Sequence, residues 1–494
     1  MTTQPITDHT DAHPGATGHL PVSDGLVAVV SRECPTCRQV EPVLAELLAR
    51  GVPLVVCAQE DPADWSLLAA AHVVDDAELW CSHELGVETV PTLVRLADGQ
   101  VVARTEGWWR ERWEELTGES ALGAGLPPQR PGCGSRTTDP ALADELAVRF
   151  HGHALHSRRV TIGPLEDEVE ALYDRGWSDG LPLVPPTPSR VLRMLEGTTR
   201  APDDIVAVVP PLLAECTVEK VAVNAVMAGC RPEYLPVVLA AVEGACSDEF
   251  NAHVVLATTN PFGPIVVVNG PIRHAIGMNS GVNALGQGNR ANSTIGRALQ
   301  LVIRNVGGGR PGEVDRATLG NPGKLGVCFA EDEEGSPWEP LSVFRGVPRG
   351  TDAVTLFAGE GPRNVMDQLS RDADSLARSF AACLRTVQHP KHVQTYDAML
   401  VVSPEHAARF RDAGWSRTRL LDELHRLTVT PGEELVRGAG GIEQGLPAEE
   451  AVGTIPKFRP DGLHVVQAGG GAGLFSAIIG GFRASEAVTR EIRP

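Results

Sequence analysis

The sequence predicts a mixed α/β protein in two parts joined by a linker. Three observations carry this expectation. Apolar runs of strand length alternate with segments of helical periodicity. A stretch rich in Pro, Gly and Arg interrupts them at residues 119–158. The 494 residues give room for two to four domains at roughly 100–200 residues each. The expected organisation is a polar tail over residues 1–20, a first α/β region over 21–118, the linker over 119–158, and a mixed α/β region over 159–494 that is long enough for two packed lobes.

In the first region, Leu26–Val30 reads as a buried strand and Val40–Leu48 as a helix that Gly51 stops. Pro53–Cys57 reads as a second strand and Asp64–Ala71 as a helix. Val90–Leu96 and Gln100–Arg104 flank the turn signal Asp98-Gly99, which predicts a hairpin. Trp108–Leu116 reads as a closing helix, and a short helix over about Pro140–Phe150 interrupts the linker. In the large region, Ile205–Val209, Ile265–Val268 and Leu463–Gln467 read as strands. Val218–Ala228, Leu235–Glu243, Ala291–Ile303, Leu376–Val387 and Phe475–Ile479 read as helices.

Cys34-Pro35-Thr36-Cys37 lies between the first strand and the first helix, which puts Cys34 at a helix N-terminus. Unpaired amides and the helix dipole favour a thiolate there. A thiolate attacks disulfides, and the second cysteine resolves the mixed disulfide. Glu33, next to Cys34, is expected to raise the thiol pKa. Cys57 and Cys81 read as buried small hydrophobes. The strand-CxxC-helix order, Gly86-Val87-Glu88-Thr89-Val90-Pro91-Thr92-Leu93 and Asp98-Gly99-Gln100 together resemble the thioredoxin family over residues 25–118. The resemblance implies a cis proline at Pro91, backbone of Val90 exposed for pairing with a bound substrate chain, and a redox-active Cys34–Cys37 disulfide. Arg32 and Glu33 stand where the family usually has a tryptophan before the CxxC.

In the large region, Thr217 is the expected N-cap of the helix that follows Cys216, which makes Cys216 a second candidate thiolate; Cys230 ends the same helix. Residues 277–297 hold four Asn, two Arg and five Gly. Gly admits close backbone approach and Asn and Arg fork onto carboxylates or amides, so Asn279, Asn283, Arg290, Asn292 and Arg297 are candidate substrate-binding residues. His253 and His274 are acid–base candidates, with Arg273 beside them, and Cys133 and Cys230 are candidate relay thiols. Glu331-Asp332-Glu333-Glu334 reads as a solvated charge run, with a cation site as its alternative; His151, His153 and His156 with Cys133 have ligand-like spacing. The Trp177–Thr187 strap, Asn279-Ser280-Gly281, Arg290–Arg297, Asn321-Pro322-Gly323-Lys324, Phe329-Ala330-Glu331 and the Gly469–Gly473 run are similar to an uncharacterised bacterial family whose relatives travel with thiol or selenol proteins. That resemblance brings no residue roles with it.

The 42% hydrophobic content argues against general disorder. With 43 basic against 63 acidic residues, a net charge of −20, no basic face for nucleic acid is expected. No apolar run is long enough to span a membrane, and the N-terminus lacks the pattern of a secretory signal, so a cytoplasmic protein with reduced cysteines is expected. The expected function is that of a thiol-dependent enzyme. Its CxxC region would pass electrons or sulfur to Cys216, which would act on a small polar substrate. A thiol reductant and a homodimer are compatible partners; no metal and no further cofactor is expected. Two alternatives remain open: a lyase or transferase of C–S bonds whose CxxC serves maintenance, and a redox-sensing or metal-handling binding protein.

Overall fold

Val27 to Val30 are fully buried on both faces of their strand, which marks it as central. This strand, β1 (Gly25–Val30), runs parallel to β2 (Leu54–Ala58), which runs parallel to β3 (Val73–Asp75). Between β1 and β2 lies α1 (Pro35–Ala49), whose apolar face buries Val40, Val43, Leu44 and Leu47. Each such side chain contributes roughly 1.5–3 kcal/mol when fully buried. After α2 (Trp80–Glu84) and the two-residue β4 (Thr89–Val90), β5 (Thr92–Ala97) and β6 (Gln100–Glu106) form the expected hairpin. β5 lies antiparallel to β1, which completes the order β3-β2-β1-β5-β6. The Val90–Pro91 peptide bond is cis.

The computed structural model describes residues 20–163, 165–441 and 444–493; the tail histidines His9, His13 and His19 lie outside them. The chain divides into two units, one ending at Phe150 and one starting at His151.

The expected linker is therefore largely part of the first unit. β7 (Trp108–Trp109) and α3 (Arg110–Thr117) are followed by β8 (Gln129–Arg130), which pairs with β7, and β9 (Cys133–Gly134), which pairs with β4. α4 (Ala143–His151) packs Leu146 and Phe150 on Leu79. Proline-rich chain offers few N–H donors, so side chains of the unit reach its carbonyls instead. Trp108 Nε1 donates to Pro127 O at 2.7 Å, Thr36 Oγ1 to Pro131 O at 2.7 Å and Arg110 Nε to Leu122 O at 2.9 Å. Residues Asp64–Ala71 are not one helix: they run from the end of a short turn at Pro62–Asp64 into another at Ala70–His72, and Trp65 between them is buried with a non-helical backbone.

The second unit opens with α5 (Glu168–Asp174), α6 (Pro188–Leu195), the hairpin of β10 (Ile205–Val209) and β11 (Ala214–Thr217), α7 (Val218–Ala228), α8 (Leu235–Ala245) and α9 (Ala252–Ala257). Then come β12 (Gly263–Asn269), α10 (Ile272–Ala275), α11 (Arg290–Asn305), β13 (Val327–Ala330), α12 (Leu341–Phe344), β14 (Ala353–Gly359) and β15 (Arg363–Met366). A similar series follows: α13 (Ala373–Leu384), β16 (Tyr396–Val402), α14 (Pro404–Asp412), α15 (Arg417–Leu427), the small ribbon of β17 (Thr430–Pro431) and β18 (Thr454–Ile455), then β19 (Leu463–Gln467), β20 (Phe475–Phe482) and β21 (Val488–Glu491).

Its sheet has the order β13-β12-β14-β20-β16-β19. It is built from two like modules. β12 has a parallel partner in β13 and an antiparallel one in β14; β16 has a parallel partner in β19 and an antiparallel one in β20. The modules exchange their last strands, since β15 pairs with β20 and β21 with β14. They meet where Gly359 faces Gly481. A Cβ on Gly481 would lie 2.1 Å from the Phe357 ring, so only glycine fits this crossing. Phe475–Ile479, expected as a helix, belongs to β20, which is buried from Ser476 to Gly481. A short apolar run carries no period that separates the two outcomes, and Gly480-Gly481 weighs against a helix. No helix among the described residues is long and apolar enough to cross a membrane.

Candidate functional site

The CxxC geometry follows from the local sequence. Cys34 is the N-cap of α1 and Pro35 takes the first helical position, where no N–H is needed. The Cys37 N–H donates to Cys34 Sγ at 3.4 Å. Upstream, Glu60 holds the turn that leads into Cys34: Ser31 Oγ donates to one carboxylate oxygen at 2.6 Å and the Arg32 N–H to the other at 2.8 Å. Cys37 is fully buried, and the Ser31 N–H donates to its sulfur at 3.4 Å.

The two thiols have opposite acidities. The Cys37 thiol hydrogen-bonds the Cys34 sulfur and holds its pKa down at about 5 against the opposing effect of burial; further donors are the Cys133 thiol and the N–H groups of Cys37 and Thr36. Burial drives the Cys37 thiol far above its ordinary range, and its bond to Cys34 adds to this. Cys34 is thus the thiolate and Cys37 the proton-bearing partner. The expected rise from Glu33 is overturned: that carboxylate points to solvent, while the hydrogen bonds act at the sulfur itself. As a thiol, Cys34 donates to the Val90 carbonyl at 3.3 Å; on ionising it gives up that bond and accepts those above.

Cys133 completes a three-sulfur cluster. Val90 pairs with Cys133 and Thr89 with Gly134 in antiparallel register, and Ser135 N donates to Glu88 O at 2.8 Å. Burial and the bond to Cys34 raise the Cys133 thiol. Pro91 lies beside this pairing, between β4 and β5. Cys57 and Cys81 form a separate buried pair with sulfurs 2.7 Å apart.

The other candidates lie in the second unit and have different surroundings. Thr217 caps α7 as expected, its side chain accepting from Lys220 N. Cys216 beside it is nevertheless 0% exposed, and burial pushes its thiol up to about 12. Cys230, at the far end of α7, donates to Thr294 O at 3.4 Å and is pushed up to about 12 in the same way. Neither thiol has the thiolate character that the sequence suggested for Cys216. His253 is exposed on α9. His274 is exposed and pairs with Glu334 at 3.0 Å.

The Asn/Arg/Gly loop folds on itself. Asn279 Oδ1 accepts from Gly281 N at 2.9 Å and Asn283 Nδ2 donates to Gln287 O at 2.6 Å. Asn292 is buried and its Nδ2 bonds the carbonyls of Asn279 and Ala284. Arg290 Nε donates to Gly229 O at 2.9 Å. Arg297 forks onto Asp179 with two bonds of 2.8 Å and so holds the Trp177–Thr187 strap. These side chains stabilise loop and strap.

The acidic run after β13 is not a solvated face. Glu331 is 0% exposed and pairs with Arg417 at 3.2 Å. It also accepts from Asn269 Nδ2 and Leu341 N, each at 2.7 Å. Glu333 and Glu334 pair with Arg273 at 3.2 and 2.9 Å. The one signal of this cluster in the sequence is a carboxylate directly after the apolar Val327–Ala330. Among the described residues no group of three or more His, Cys, Asp or Glu is placed to hold a metal ion. Comparison with models of known protein families and with curated proteins finds no match to this chain.

Proposed function

We propose that the first unit is a thioredoxin-like thiol–disulfide oxidoreductase that uses Cys34 as nucleophile and Cys37 as resolving thiol. The observation that carries this reading is the Cys34 sulfur, which caps α1, accepts the Cys37 N–H at 3.4 Å and has its pKa held down at about 5, so that it is a thiolate at neutral pH. The Cys34 thiolate attacks one sulfur of a disulfide substrate and the other sulfur leaves as a thiolate. Cys37 then gives up its proton and attacks Cys34, which releases the second substrate thiol and leaves the Cys34–Cys37 disulfide. A low-pKa Cys34 is a good leaving group for the reverse direction.

The buried, high-pKa settings of Cys216 and Cys230 favour a core role for both, so the exchange is assigned to the first unit. The test is a redox titration of the full chain in glutathione buffers, read by alkylation and mass spectrometry. A two-electron couple mapped to a Cys34–Cys37 linked peptide in the unmodified chain supports the reading; Cys34 and Cys37 both alkylated across the whole range of glutathione buffers overturns it.

A further inference from the structure

In this structure Cys34 is only 2% exposed. What covers it is the chain's own segment 131–134. A peptide that binds by strand addition needs an open backbone edge, and at Val90 that edge is taken. The segment is held along its length. Thr36 Oγ1 bonds Pro131 O at 2.7 Å. Gly132 passes so close to β4 that a Cβ there would lie 2.5 Å from the Val90 carbonyl oxygen. Ser135 is buried and accepts from Gln59 Nε2 at 2.7 Å, and Arg136 N donates to Gln59 Oε1 at 3.2 Å. Cys133, in the middle, is half-buried, pairs with Val90 and packs against the apolar cluster that holds Cys34.

Resting on the exchanger reading above, we propose that residues 129–136 are a built-in occupant of the peptide groove and that Cys133 is a third redox thiol, so the site serves low-molecular-weight thiols and disulfides rather than folded proteins. The steps balance without a further co-reactant beyond that small disulfide. Starting from three thiols, Cys34 attacks the small disulfide and expels one thiol. Cys133 loses its proton, attacks Cys34 and expels the second, which leaves Cys34–Cys133. The substrate has gained two electrons and two protons. Cys37 then loses its proton and attacks Cys34, giving Cys34–Cys37, and the departing Cys133 thiolate takes up a proton. This last step moves the disulfide with no net change in electrons. In the opposite direction, a small thiol attacks the partly exposed Cys133 sulfur and Cys34 leaves as the more stable thiolate.

The test uses the full chain, reduced and then exposed to one equivalent of oxidised glutathione, alkylated and mapped by mass spectrometry. In Cys37→Ser the expected product is a Cys34–Cys133 linked peptide with loss of both glutathiones. A lasting glutathione adduct on Cys34, with Cys133 alkylated, overturns the proposal. A quenched time course on the unmodified chain guards against a misfolded variant. There, Cys34–Cys133 is expected before or in exchange with Cys34–Cys37. Formation of Cys34–Cys37 with Cys133 alkylated throughout rejects the third thiol and keeps the exchanger; formation of neither disulfide rejects both. Turnover of insulin disulfides is expected about tenfold or more below that of oxidised glutathione, because the groove-open population is small. Equal or faster insulin turnover rejects the substrate class.

Discussion

Cys133 faces Val90 across an antiparallel bridge, and the Val90 carbonyl accepts the Cys34 thiol at 3.3 Å. One backbone position therefore holds two of the three sulfurs. This makes the acidity of Cys34 a property of the docked segment as well as of the helix.

The first prediction concerns that acidity. The Cys34 thiolate fraction, read from iodoacetamide alkylation, should rise through about pH 5 and be flat by neutral pH. Cys37→Ala should move the midpoint upward, because its thiol bond has the largest effect, and Cys133→Ala should move it less. The linked stability follows in sign. The folded pKa lies below the ordinary 9.0, so the contribution is complete above about pH 9 and is lost as pH falls towards 5. Cys34→Ser should remove that slope from the reduced protein; a midpoint near 9 in the unmodified chain would rule out the assigned hydrogen bonds.

Gly132→Ala separates docking from chemistry. The new methyl meets backbone, at 2.5 Å from Val90 O, which cannot swing aside. Overpacking of this kind costs about 1–3 kcal/mol, which is roughly a 5–150-fold increase in undocked segment. Cys34 alkylation at neutral pH should accelerate within that range while the first-unit core stays folded by circular dichroism. Unchanged alkylation would mean that the segment does not shield the sulfur.

These effects explain what the sequence disclosed. Val27–Val30, the Pro35 start of α1 and the Asp98-Gly99 turn are local signals, and they serve for β1, β5 and β6; the three-residue edge strand β3 is too short to carry a period and is not among the expected strands. The β4·β9 pairing is two residues long and has no period. Its register is set at long range by Thr36 and Gln59, so Arg130-Pro131-Gly132 reads as a linker. Asn279, Asn283 and Asn292 misled in another way. An Asn side chain offers the same donors and acceptor to a ligand as to its own backbone, and here the backbone takes them. Glu331 was obscured by its three acidic neighbours, because burial by α12 and α15 comes from distant chain.

Cys57 and Cys81 supply a third prediction. Their buried sulfurs lie 2.7 Å apart, so diamide should close them into a disulfide, recovered as one linked peptide. Closing the intervening loop should stabilise the first unit by about 3 kcal/mol on chain-entropy grounds. Denaturant midpoints of the oxidised and reduced protein read this directly. Full alkylation of both after diamide treatment would reject the pairing.

The buried pair of Glu331 and Arg417 gives the fourth. Arg417 is 3% exposed and also donates to the carbonyls of Val465 and Glu339. Glu331→Leu strands that guanidinium and leaves Asn269 Nδ2 and Leu341 N without this acceptor. Removing one partner of a buried pair costs about 3–5 kcal/mol, whereas replacing both by apolar groups is often near neutral. The double variant Glu331→Leu, Arg417→Met should therefore unfold at higher denaturant than Glu331→Leu alone. The measurement should follow the second unit separately, since two units need not unfold in one transition. Additive losses would show that Glu331 and Arg417 act independently and that the neighbouring backbone bonds, rather than the charge pair, hold the ends of β12 and β13.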